Sequence, residues 1–165
     1  MTIKEKVFLL LFFIISSITM SGCATTAYDA QADQLLTKYA QTSNLQLFKF
    51  ESEFESTGKV PKYDDEFYNS LHSDLAVIDI RMSALQQGEK AGELLTNQFK
   101  NFNKIIDDIQ LLHKNAYDVA NGKPENPLSP VKGNDFSPIN FDVTRKLINS
   151  RLQTLIAYEA SLKQP

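Results

Sequence analysis

The spacing of apolar residues predicts an all-α protein, an antiparallel up-down-up-down four-helix bundle. Three observations carry this expectation. Apolar residues recur every three or four positions through four long windows. Glycine and proline punctuate the chain between those windows. No stretch alternates apolar and polar residues over a useful strand length.

The first helix is expected from about Asp29 to Ser56, with Leu36, Ala40, Leu47, Phe50 and Phe54 on one stripe. Gly58 supplies a left-handed cap and Pro61 stops continuation. The second helix is expected from about Pro61 to Gln87. Tyr68, Leu71, Leu75, Ile78, Met82 and Leu85 keep three-four spacing, which is a bundle seam. Asp64, Asp65 and Glu66 suit its first turn, where the helix dipole favours negative charge. Gly88 then breaks the chain before a third helix from about Glu89 to Asn121. Phe99, Phe102, Ile106, Ile109, His113, Ala116 and Ala120 stay in register there. Ser137-Pro138 opens the fourth helix, since Ser caps and Pro fits the first helical position. It runs on through Ile148, Leu152, Leu155, Glu159 and Leu162.

The connection from Gly122 to Ser137 differs from the two tight turns. It holds Pro124, Pro127, Pro130 and Gly133, and it is too long for a simple helix hairpin. Its prolines stiffen an extended segment and lower the entropy lost on docking. Leu128, Val131 and Phe136 make it a candidate partner-binding loop; the alternatives are a solvated linker or a strap packed on the bundle end.

The N-terminus reads as an export signal over residues 1–22. Lys4 and Lys6 form a basic start, Val7 to Ile15 is unbroken apolar sequence, and Ser16 to Ser21 lead into Gly22-Cys23. The apolar part is too short to span a bilayer, which takes about 20 such residues. Met20-Ser21-Gly22-Cys23 resembles the lipobox of bacterial lipoproteins: one fairly large apolar residue, two small ones, then the chain's sole cysteine. The resemblance implies cleavage between Gly22 and Cys23, a diacylglyceryl group on the sulfur and a third chain, palmitate-like, on the new amine. Two or more chains make anchoring stable, at about 0.8 kcal/mol per buried methylene. Ala24 stands where an Asp is linked to inner-membrane retention, so the expected location is the cell envelope, with the periplasmic face of the outer membrane favoured.

Such cleavage leaves 143 of the 165 residues: a tether over 23–28 and a single bundle domain over 29–165. Removing Lys4, Lys6 and Glu5 from 17 basic and 20 acidic residues leaves 15 and 19, a net charge of −4. With no block of like charge, nucleic acid is not an expected partner. With the thiol acylated there is no disulfide, so the core must hold the fold alone.

Up-down-up-down topology gives every residue a height above the membrane. Arg81, Glu159 and Asp33 fall within a few residues of the membrane-side end, with Asn97 and Gln98 at a similar level. They are read as a structural polar layer, with Arg81 and Glu159 as a partly buried pair helped by Asp33. A catalytic or ligand site built on the same three residues is the rival reading.

The histidines argue against a metal or haem site. His72 and His113 differ by about nine positions in height, roughly 13 Å, and His113 and Met82 lie toward opposite ends. No Glu-x-x-His motif of the di-iron bundles occurs. His113 is expected at the core edge, bonded to Glu53 or Asp65. No nucleophile elbow, zinc-protease motif or phosphate loop is present. No cofactor is expected.

The mature part also resembles small helical lipoproteins of Gram-negative bacteria that have no assigned activity. The likeness rests on Asp33-Gln34-Leu35-Leu36-Thr37, on Arg81 after an apolar run, and on Tyr158-Glu159 with Lys163. It implies a helical bundle and no catalytic function. The expected role is therefore non-enzymatic: a membrane-anchored accessory or inhibitor that binds another envelope protein. The alternative is a bundle that holds an apolar small ligand between its phenylalanines.

Overall fold

The computed structural model describes residues 29–85, 89–125, 132, 136–137 and 139–162. The signal peptide, the tether with Gly22 and Cys23, and loop residues Leu128 and Val131 lie outside the described residues. The described residues form four helices and no strand: α1 (Ala30–Thr57), α2 (Asp65–Ala84), α3 (Glu89–Ala120) and α4 (Ile139–Leu162). Each helix packs chiefly on two neighbours, in the ring order α1, α2, α3, α4. This is the expected antiparallel bundle. None of these helices is long and apolar enough to cross a membrane.

The helix ends follow from local chemistry. Asp29 caps α1, its carboxylate accepting the Gln31 N–H at 2.9 Å. Gly58 ends α1 in the left-handed region at φ 66°, where a side chain would be strained. The second helix starts at Asp65 rather than near Pro61, because Asp64 Oδ1 accepts the Phe67 N–H at 3.0 Å and fixes the N-cap there. It ends at Ala84, three residues earlier than expected. Residues 60–63 are consequently non-helical, which frees the Pro61 carbonyl for a partner in α3. At the start of α4, Asn140 Oδ1 accepts the Ser137 N–H at 2.6 Å, the reciprocal half of a capping box.

The seams read from the sequence are the core. Leu71, Leu75, Ile78, Phe102, Ile106, Ile109, Leu152 and Leu155 are all buried. Ala120 departs from that register and is exposed, at the last turn of α3. Tyr39 on α1 meets Phe102 on the diagonal helix α3 edge to face at 5.4 Å, so the two rings close the bundle's middle.

The Tyr39 hydroxyl is buried with no hydrogen-bond partner among the described residues. Burial, with Asp74 nearby, pushes its ionisation far above the ordinary tyrosine range. A buried unpaired hydroxyl costs about 1–3 kcal/mol. Tyr39→Phe should therefore leave thermal stability unchanged or raise it, and a clear fall in melting temperature would show that the hydroxyl is bonded in solution.

Candidate functional site

Two polar groupings stand out, one at each end of the bundle. At the end where α1 starts and α4 finishes, Arg81 Nη1 donates to Asp29 Oδ2 at 2.9 Å. The Arg81 guanidinium holds the Asp29 carboxyl below the usual carboxylate range. Both groups are partly open to solvent, with side-chain exposures of 36% and 23%. Glu159 is buried in the α4 seam, as its register predicted.

The expected Arg81–Glu159 pair does not form, and Arg81 is bonded to Asp29 rather than to Asp33. The reason is topological. In the observed ring α2 and α4 are diagonal, so equal height does not bring Arg81 on α2 to Glu159 on α4. Arg81 turns outward to the α1 edge instead. Gln98 likewise accepts from Arg151 at 3.4 Å on its neighbour α4, not from Arg81. A pair this exposed is worth about 0–1 kcal/mol. A double-mutant cycle of Arg81→Ala with Asp29→Ala should thus show weak coupling, and Arg81→Ala with Glu159→Ala none. Strong coupling in the second cycle would place α2 and α4 side by side.

The far end is built around His113, which is fully buried rather than at the core edge. Its Nδ1 lies 3.0 Å from the Tyr68 hydroxyl and its Nε2 lies 3.0 Å from the Pro61 carbonyl oxygen. A carbonyl only accepts, so Nε2 carries the proton and Nδ1 accepts from Tyr68. These partners replace the expected Glu53 or Asp65; Asp65 is instead bonded by the Tyr63 hydroxyl at 2.9 Å. Desolvation lowers the His113 pKa to about 4, against an ordinary 6.5. Its imidazole is thus neutral, with both nitrogens committed. It ties the α1–α2 connection to α3 and is not free to act as a base.

Aromatic rings enclose this histidine. Phe50, Phe141, Tyr63 and Phe136 lie with ring centroids 4.8, 5.2, 5.6 and 5.8 Å from it. Phe136 also meets Phe54 at 5.5 Å and Phe141 at 5.1 Å. This corrects the expectation that Phe136 is an open anchor of the proline-rich loop. It is 9% exposed, and burying its ring among three others is worth more than offering it to solvent. The loop's last residues are a strap on the bundle end.

Three further polar contacts were not anticipated. Asn44 and Asn149 exchange two amide hydrogen bonds, of 2.7 and 3.0 Å, across the α1–α4 edge. Arg145 lies 3.1 Å from Glu51, a charge contact rather than an aimed hydrogen bond, and donates to Asp142 at 2.9 Å. His72 bridges α2 to α3, close to Asn103 Oδ1, Gln110 Oε1 and Asp107 Oδ1 at 3.3, 3.2 and 3.4 Å. Asn44 and Asn149 were legible in part, since both flank a seam at nearly equal height. Among the described residues no group of three or more His, Asp or Glu side chains is placed to hold a metal ion.

These arrangements join helices and fasten loops. No protein-family model matches the chain, and no curated protein or solved structure shows detectable similarity to it.

Proposed function

We propose that the protein is a lipid-anchored envelope protein with a non-enzymatic, protein-binding role, held to the membrane through acylated Cys23. The observation that carries this reading is the position of Asp29. It caps α1 and pairs with Arg81 only six residues after Cys23, so an anchor there would attach almost directly to a rigid bundle end. Six extended residues reach about 20 Å. The proline-rich connection then faces away from the membrane, with Leu128 and Val131 as its remaining apolar contribution to a partner. The alternative role, an apolar ligand held inside the bundle, is disfavoured by ring-to-ring packing where the phenylalanines converge.

Cys23→Ala tests the anchor. It should move the protein from the membrane fraction to the soluble one, or leave an uncleaved precursor. A mature-sized Cys23→Ala product that still sediments with membranes would contradict the reading. Crosslinking in the native host followed by affinity capture addresses the partner.

A further inference from the structure

Both irregular connections at the far end of the bundle lean on one buried side chain. The Pro61 carbonyl of the α1–α2 connection accepts from His113 Nε2 at 3.0 Å. Phe136, from the α3–α4 connection, lies against the imidazole with the two rings 15° from parallel. Among the described residues the strap is otherwise held by ring packing of Phe136 on Phe54 and Phe141, and by the Ser137 bonds to Asn140 in its own turn.

A neutral imidazole fits this site and an imidazolium does not. Nδ1 accepts from the Tyr68 hydroxyl at 3.0 Å. A proton on Nδ1 reverses that bond, and the Tyr68 hydroxyl hydrogen must then find another acceptor. The tyrosine is fully buried and has no second hydrogen bond among the described residues, so that hydrogen is stranded. The added charge also lacks a counter-ion. From α1, α4 and the strap the ring meets Phe50, Phe141 and Phe136. The titratable groups around it are Tyr68 of α2, and Tyr63 and Asp64 at the end of the α1–α2 connection. Burial raises the pKa of both tyrosines, so neither supplies a negative charge. The Asp64 carboxylate is committed to the Phe67 N–H at the start of α2. A charge enclosed in this way is costly until water reaches it.

We propose that His113 is an acid-operated latch: proton uptake by its imidazole releases Phe136 and the Pro61 turn from the bundle end while the four helices stay packed. Lifting Phe136 admits water to the ring and breaks contacts at one end only. Unfolding the helices would also give up the mid-bundle core, where the Tyr39 and Phe102 rings meet, so the local opening is the cheaper response. Tyr63 limits the movement on the other side. Its hydroxyl donates to Asp65 and accepts from Gln110, which keeps the start of α2 on α3.

The test is an NMR titration of the full chain in detergent, from pH 7 down through the titration of His113. In the parent the ring contact between Phe136 and Phe54 should vanish with the same midpoint as the shift of the His113 Cε1 proton. The contact between Tyr39 and Phe102 should survive. His113→Gln keeps Asp64 and Asp65, and its Phe136–Phe54 contact should persist throughout. Three results would overturn the proposal: loss of the Tyr39–Phe102 contact at the same pH, a Phe136–Phe54 contact that outlasts protonation of His113, or an equal loss in His113→Gln. If His113→Gln does not fold, the parent decides alone, and midpoints that differ reject the latch.

Discussion

Replacing Phe102 with alanine should destabilise the bundle by about 3–5 kcal/mol, the largest loss expected from a single substitution. Phe102 is fully buried on α3, and its ring meets Tyr39 across the bundle. Truncation removes the transferred apolar surface and opens a void that four rigid helices cannot close. A single domain of this size has about 5–15 kcal/mol in total, so the variant should lose a large fraction of its stability. Chemical denaturation followed by circular dichroism reads the effect. A loss under about 1 kcal/mol would mean that the ring is not in the core and that α3 is rotated from the position described.

The second large effect is acid sensitivity at His113. Its pKa is about 4 in the folded chain and 6.5 when exposed, so between these values the unfolded state binds more protons. Stability from the neutral imidazole is fully present above pH 6.5 and is lost as pH falls toward 4. That gap corresponds to about 3 kcal/mol. Asp29, Asp118 and Asp142, whose pKa values are lowered by their cationic partners, give up stability mainly below about pH 4, at the acid foot of the His113 window. His113→Gln has an amide that can donate to the Pro61 carbonyl and an oxygen that can accept from Tyr68, but no titration. Its unfolding free energy should be much flatter between pH 6.5 and 4 than the parent's. Identical slopes would show that His113 is solvated. His113→Ala should also lose about 1–3 kcal/mol at pH 7 for each buried group left unpaired, Tyr68 and Pro61 being the two.

The elements most legible in the sequence were those set by repeated short-range patterns. Leu71 through Met82 keep their spacing because one face of α2 must stay on the core, and that constraint is written at every turn. Gly58 and the acidic start of α2 are equally local, since a cap needs only its own neighbours. The candidate site was less legible because its contacts depend on which helices adjoin. Height along the bundle put Arg81 and Glu159 at one level, but a ring of four antiparallel helices makes α2 and α4 diagonal. The nearest carboxylate to Arg81 belongs to Asp29, a residue read only as the beginning of α1. Phe136 was grouped with Leu128 and Val131 by composition. Its position five residues before Phe141 lets it return to the cluster at the bundle end, where Phe54 and His113 also converge. Such convergence of four segments leaves no periodic trace. The same holds for the Pro61 carbonyl, a backbone atom whose partner lies 52 residues away.

The mature N-terminus tests most directly the proposal that the four-helix bundle is fixed to a membrane by its first residue. Mass spectrometry of the N-terminal peptide from detergent-extracted protein should find Cys23 as the first residue, carrying a diacylglyceryl group on its sulfur and an acyl chain on its amine. A mature protein that starts elsewhere, or an unmodified Cys23 thiol in the membrane-extracted form, would contradict it.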